Sequence, residues 1–368
     1  MTGDQPAATS DSATTVADLA DQAGFEISTL AQSVSIIITT YNHARFLAEA
    51  IESALRQTVG PGEVIVVDDG STDDPGSLVS RYPQVQLVRQ ANQGLAAARN
   101  TGWRAARGRY VVFLDADDLL LPEALAFNLR RFAERPECAF VYGSFHFIDS
   151  AGEQLDLDIC TTMVGEDAYV CFLVGNCIGM HATVMYRRDC LEEVGGFDPQ
   201  MRATEDYELY LRLTRRYPVL GGMECIAAYR RHDANMSSDI PLMLDTALDA
   251  MRRQLPYLNG NPGWQRALET GIRRWKTYYA DLQLTRVRNI ARTSGLRQVP
   301  LRDLMDVFAR APAIFLKITG RRTVKALRSR LAIVRNKSVR FGDLRRLRPI
   351  SGNCDGRDKE RIHDRNRA

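Results

Sequence analysis

Three apolar runs limit what this chain can fold into more than anything else in it. Residues 34–39 read VSIIIT, residues 63–68 EVIVVD and residues 109–114 RYVVFL. Each is short and rich in β-branched residues, without a polar alternate face. That pattern suits a strand covered on both sides. Helical spacing separates them. Residues 44–57 place Phe46, Leu47, Ala50, Ile51, Ala54 and Leu55 on one stripe, residues 95–106 are alanine-rich, and residues 122–134 open on a proline, at home in a helix's first turn. A short helix over 74–82 and a weak strand over 86–89 complete the alternation. Strand and helix in this order predict an α/β fold, a Rossmann-like and mostly parallel sheet with helices on both faces. Further strands are expected over 138–147 and 183–187, and a helix over 205–216. Beyond residue 240 strand signals stop, and helices are expected over 242–257, 264–290 and 301–334.

Ligands of open parallel sheets bind at the carboxyl ends of the strands, near the point where strand order reverses. Three strand ends here are polar. The first continues as Thr39-Thr40-Tyr41-Asn42, the second as Asp68-Asp69-Gly70-Ser71, and the third of the long runs as Asp115-Ala116-Asp117-Asp118. Carboxylates crowded at one edge repel each other, and a hard cation with oxygen ligands, Mg²⁺ or Mn²⁺, relieves the repulsion and can bridge them to a diphosphate. Neither GxGxxG nor GxxxxGK[ST] follows a strand, which argues against a dehydrogenase or a P-loop NTPase. A nucleotide would be held by side chains and a metal.

The 368 residues divide into three stretches by composition. Residues 1–32, rich in Ala, Ser, Thr and Asp, read as a flexible leader without the basic start and apolar middle of a secretion signal. Residues 33–240 carry the strand–helix alternation. Residues 241–368 read as a helical, basic C-terminal extension: from Pro300 onward there are 19 Lys and Arg against 7 Asp and Glu, while the rest of the chain has 29 against 38. A basic amphipathic tail on an acidic body suits peripheral contact with an anionic membrane face, or is only a solvated helix face. Nucleic acid is not the expected partner. No apolar run nears the length of about 20 residues that a membrane span needs. Seven cysteines, an odd number without a CxxC pair, read as free thiols. The expected location is cytoplasmic.

These residues resemble the family 2 inverting glycosyltransferases, of GT-A fold, over about residues 34–237. VSIIITTYNHARFLAEAIESALRQT resembles that family's first strand and helix, EVIVVDDGSTDD its nucleotide-binding second strand, and NQGLAAARNTGWRAARGRYVVFLDADD the stretch leading to its metal motif. GGFDP at residues 195–199, Thr204-Glu205-Asp206, and YRRH at residues 229–232 resemble its acceptor-side elements. The resemblance implies that Thr39, Tyr41 and Asp69, with Asp68, hold the base and ribose of a nucleotide, most often UDP. It implies Arg99 near the diphosphate, Asp115 near the ribose or the metal's water shell, Asp117 as a metal ligand, and His232 near the diphosphate or metal. It makes Asp206 the general base. Glu205, on the acceptor side, would order its helix start, with Thr204 as N-cap. His181 either lines the acceptor side or is a satisfied core histidine. The Gln/Arg-x-x-Arg-Trp motif of the family's processive synthases is absent, which points to a single addition.

The implied reaction moves a sugar from a nucleotide-sugar donor to a hydroxyl of a glycan or lipid-linked acceptor, with inversion, in cell-surface polysaccharide or glycoconjugate synthesis. Two other readings stay open. A sugar nucleotidyltransferase would release pyrophosphate and would normally carry a glycine-rich phosphate loop. A catalytically silent nucleotide-sugar sensor or scaffold would bind donor without turning it over.

Overall fold

The computed structural model describes residues 27, 29–157, 161–165, 167–233, 235–294, 298, 299 and 303. The leader expected over 1–32 lies almost wholly outside the described residues, as do the expected helix over 301–334 and the basic stretch that follows it.

The three apolar runs become neighbouring strands. β1 (Val34–Thr40) is buried along its whole length and pairs in parallel with β2 (Glu63–Asp68) on one side and β4 (Tyr110–Asp115) on the other. β3 (Val85–Arg89) adds in parallel to β2. Alternate side chains serve two cores, as the two-residue period of a strand requires. Ile37, Ile65, Val67, Val111 and Phe113 face one core; Ile36, Ile38, Val64, Val66, Val112 and Leu114 face the other. α1 (Ala44–Leu55) lays Leu47, Ala50, Ile51 and Ala54 on the second face, and α3 (Leu95–Ala105) lays Ala96, Ala98 and Trp103 on the first. The short α2 (Pro75–Val79) joins β2 to β3.

From β4 onward the sheet is mixed. Its order is β3-β2-β1-β4-β8-β6-β9-β5, with β7 beside β6. β8 (Val184–Arg187) runs antiparallel between β4 and β6 (Phe140–Ile148). β9 (Val219–Arg230) is parallel to β6, and the two-residue strands β5 (Leu119–Leu120) and β7 (Gln154–Leu155) are antiparallel to their neighbours. α4 (Ala124–Glu134) begins two residues later than its proline suggests. The Pro122 carbonyl is tied to the Thr58 amide, and Gln57 of the neighbouring loop accepts the Leu125 amide at 3.0 Å, capping the helix from another element.

Three elements carried no clear sequence signal: α5 (Ala168–Val174), α6 (Arg188–Val194) and the twelve-residue β9. α7 (Glu205–Thr214) starts where expected. α8 (Ile240–Arg252) stops short of the expected residue 257, and the chain continues as a 3₁₀ turn, Leu255–Tyr257, containing Pro256. α9 (Pro262–Thr293) is capped by Asn261, whose side chain accepts the Gly263 and Trp264 amides. Leu244, Met251, Trp275 and Tyr279 of α8 and α9 share one core with Phe172 and Tyr207. No helix among the described residues is long and apolar enough to cross a membrane.

Candidate active site

Strand order reverses at β1, which leads to β2 on one side and receives β4 on the other. Register places Thr39 opposite Asp115 and Thr40 opposite Asp68, so the three polar strand ends lie side by side. Each then meets a partner from farther along the chain.

The first group centres on Arg99 of α3, 2% exposed. One nitrogen, Nη2, donates to both oxygens of Asp115, at 2.9 and 3.0 Å, and Nη1 donates to Glu205 at the start of α7. Thr39 donates to the same Asp115 at 3.0 Å. A buried guanidinium is tolerable only when paired. Here the carboxylates outweigh the burial cost and hold Arg99 firmly protonated. Burial raises the Glu205 carboxyl; Arg99 pulls it back, and neighbouring Asp206 pushes it up again, to about 7. Asp206 follows on the same first turn and is half-buried. Burial raises it above its ordinary value against the pull of Arg99.

Thr204 occupies the N-cap position but not the N-cap role. Its backbone is left-handed (φ 55°), its hydroxyl makes no cap bond and is buried without a partner. For a β-branched residue that conformation is strained, at a typical cost of about 1–3 kcal/mol. Glu205 likewise does more than order a helix start, since its carboxylate is the inner counter-ion of Arg99.

The second group surrounds Asp117. Its Oδ2 lies 2.9 Å from His232 Nε2, 3.6 Å from His43 Nδ1 and 3.5 Å from Asn235 Nδ2. Burial pushes the Asp117 carboxyl up, but the bond from His232 and the charge of His43 outweigh it and hold it below its ordinary value. Asp118 turns the other way. It accepts the Arg230 amide at 2.9 Å, and burial together with Asp117 and Asp115 pushes its carboxyl well up. Arg230 is fully buried and locks the loop: Nε donates to the Asp117 carbonyl at 2.9 Å and Nη2 to Glu49 at 2.7 Å. Phe46 of α1 stacks under His232 and beneath the Arg230 guanidinium.

The second strand end is mostly occupied by local bonds. Asp69 accepts the Gln93 and Gly94 amides, both at 2.9 Å, and Gln90 Nε2 at 2.7 Å, which fixes the entry to α3. Asp68 accepts the Ser71 amide at 2.8 Å. Tyr41 is 48% exposed beside them. His181 lies in the aromatic core bordering the first group, 7% exposed, stacked on Phe113 and bonded to the Tyr186 hydroxyl at 2.9 Å. Burial lowers its pKa far below the usual histidine range, so the ring is neutral. Thr39, Arg99, Asp115, Glu205 and Asp206 are therefore brought together, as are Asp117 and His232; Asp68, Asp69 and Tyr41 form the adjacent rim, and His181 belongs to the aromatic core. His43, Glu49 and Asn235 join the site without having stood out in the sequence.

Asp117, His43 and His232 offer one carboxylate oxygen and two imidazole nitrogens, all within 4.8 Å of one another, a donor set that fits one divalent cation. Buried ion pairs, strained backbone and displaced carboxyl pKa values at the carboxyl ends of parallel strands mark this edge of the sheet as the candidate active site.

The glycosyl transferase family 2 model matches residues 35–195. TuaG of Bacillus subtilis (strain 168), named for teichuronic acid biosynthesis, is 31% identical over 215 residues, 56% of this chain and 82% of its own length. A glycosyltransferase of Nostoc sp. is 35% identical over 215 residues, 55% of this chain and 66% of its own. The chondroitin synthase of Escherichia coli is 31% identical over 189 residues, 50% of this chain but 27% of its own. Among solved structures, S. aureus TarS 1–349 in complex with UDP-GlcNAc superposes with a TM-score of 0.53 at 18% identity, over 77% of this chain and 80% of that one, which shows a shared GT-A fold. The chain belongs to glycosyl transferase family 2 and is a glycosyltransferase.

Proposed function

We propose that this protein transfers one sugar, with inversion, from a nucleoside-diphosphate donor, UDP foremost, to a hydroxyl of a glycan or lipid-linked acceptor, in the synthesis of a cell-surface polysaccharide. The observation that carries the reading is the Arg99 bridge. It ties Asp115, at the end of β4, to the first turn of α7 and so holds Asp206 beside the strand ends where a donor would lie.

Asp117 and His232 would hold Mn²⁺ or Mg²⁺, which when bound would neutralise charge on the departing diphosphate. The protein's own groups do the rest. Tyr41 offers an exposed ring at the rim for the base, and Asp68 and Thr39 line the approach to the ribose. Asp115 is fixed by Arg99 and Thr39, so its free lone pairs are already oriented. Asp206 accepts the proton of the attacking acceptor hydroxyl, and its raised pKa makes it a stronger base than an exposed aspartate. No covalent intermediate is required. The names of TuaG and chondroitin synthase, both similar to this chain, support an acceptor of the polysaccharide class.

The test is a panel of nucleotide sugars scored by thermal shift with and without Mn²⁺, followed by product analysis. A ligand at 100 times its dissociation constant adds about 2.7 kcal/mol of stability. A transferase releases nucleoside diphosphate; release of pyrophosphate would identify a nucleotidyltransferase, and binding without turnover a sensor. Asp117→Ala should remove the Mn²⁺-dependent part of the shift without unfolding the chain.

A further inference from the structure

We propose that His43 is a third protein ligand of the cation held by Asp117 and His232, and that this imidazole-rich set makes the site favour transition-metal ions, Mn²⁺ among them, over Mg²⁺. The proposal rests on the reading that Asp117 and His232 bind a metal, and it goes further by adding a residue and a metal class.

His43 stands at the N-cap position of α1, where a side chain would ordinarily accept an amide hydrogen bond. Its imidazole makes no such bond. That amide need is met from elsewhere: Asp73 of the β2–α2 loop accepts the Ala44 amide at 2.8 Å. The ring instead points across the ends of β1 and β4, with Nδ1 3.6 Å from Asp117 Oδ2 and its face at right angles to His232, 5.5 Å between ring centres. Three separate elements thus aim donors at one point: the loop after β1, the loop after β4 and the segment after β9.

The spacing fits a single ion. Metal bonds of about 2.0–2.2 Å place neighbouring ligands about 3 Å apart and opposed ligands a little over 4 Å apart. The two separations from Asp117, 2.9 and 3.6 Å, are of the neighbouring kind, and the His43–His232 pair, within 4.8 Å, needs at most a small closing in to share one ion. Two histidines and one carboxylate on one side of an ion leave the opposite side for diphosphate oxygens and water. Support from outside the set is in place. Asn235 accepts the His232 amide at 2.5 Å and reaches Asp117 and the Arg230 carbonyl, and Phe46 backs the His232 ring. Such outer contacts orient ligands and sharpen affinity. Mg²⁺ favours oxygen donors and keeps its water shell, whereas transition-metal ions accept imidazole more readily, Mn²⁺ the least of them. A site with two nitrogens among three protein ligands therefore discriminates against Mg²⁺.

The experiment uses the full chain with Mn²⁺ alone, then Mg²⁺ alone, measured by calorimetry, with pulsed electron paramagnetic resonance counting nitrogens on bound Mn²⁺. In the wild type two imidazole nitrogens should modulate the signal. His43→Ala should leave one and weaken Mn²⁺ binding at least about 10-fold, with a smaller loss for Mg²⁺, so that the preference between the ions narrows. His43→Gln, which restores a polar side chain of similar length, guards against a folding artefact, and circular dichroism checks both variants. Unchanged Mn²⁺ affinity and two remaining nitrogens in the His43 variants, with binding abolished by Asp117→Ala, would overturn this inference and leave the metal site standing. Normal Mn²⁺ binding by Asp117→Ala would overturn the metal reading itself, and this proposal with it.

Discussion

Asp206 sits in the first turn of a helix whose N-cap residue contributes no cap bond, one residue after the Glu205 that pairs with the buried Arg99. Helix-dipole attraction favours its ionised form, and burial opposes it. The balance leaves a carboxylate more basic than an exposed one. Asp206→Asn keeps the shape and the Arg99–Glu205 bridge but removes the basicity. Donor and metal binding should stay near normal while transfer falls about 10²–10⁴-fold. In the wild type, the acid limb of the rate profile should lie above the ordinary aspartate range, because the pKa is raised. Near-normal transfer by the asparagine variant would move the base elsewhere. At this scale the sequence was informative where function follows strand ends. Asp115 and Asp117 stood out because they close a patterned strand; Asp206 stood out only through the family resemblance. His43 did not, although it follows Tyr41 by only two positions. Its partner, Asp117, is far along the chain, and nothing in the local pattern says that β4 lies beside β1 with Thr39 opposite Asp115.

The parallel strands and their helices were legible because β-branched runs and helical stripes are local signals. β9 was not, for a reason visible in its packing. It contains Gly221 and Gly222, which weaken any strand signal, yet both are demanded by neighbours. A Cβ on Gly221 would come within 2.5 Å of the Tyr142 ring, and one on Gly222 within 2.4 Å of the Phe127 ring. The glycines let β9 lie close beside β6 and under α4, and β9 in turn delivers Arg230 and His232 to the cleft. Gly221→Ala must push the fully buried Tyr142 aside, which should cost about 1–3 kcal/mol in a urea titration, the usual range for overpacking. Gly60→Ala, where no atom lies within 4 Å of the new Cβ, is the control and should be close to neutral. Equal midpoints for the two variants would show that β9 is not held as closely as its contacts indicate. α5 and α6 were missed for a simpler reason. At seven residues each, they offer too few turns for a stripe to show.

One sheet joins two unlike halves, a parallel half that carries the polar strand ends and a mixed half with the helices that include α7. The Arg99 bridge is a buried charged contact that crosses between them. It links β1 and β4, through Thr39 and Asp115, to Glu205. This makes the stability of the whole fold depend on pH in a definite direction. Glu205 has an ordinary carboxyl value of 4.5 when exposed and is pushed up to about 7 in the folded protein, chiefly by burial and then by Asp206 against Arg99. The folded state therefore holds this proton more tightly than the unfolded state. The resulting stabilisation is complete below about pH 4.5 and is lost as the pH rises through about 7. The loss should be on the order of 1–3 kcal/mol, because a shift of one unit corresponds to about 1.4 kcal/mol and the proton is shared within a carboxylate cluster. Glu205→Gln cannot titrate. Its unfolding free energy in urea, compared with wild type at several values between pH 4.5 and 7.5, should lack that decline, so the difference between the two proteins should shift steadily across the window. Buried acids away from this bridge, Asp118 among them, titrate in both proteins and cancel in the comparison. A constant difference across the window would mean that Glu205 is already ionised when folded, held so by Arg99, and that burial does not dominate at this bridge.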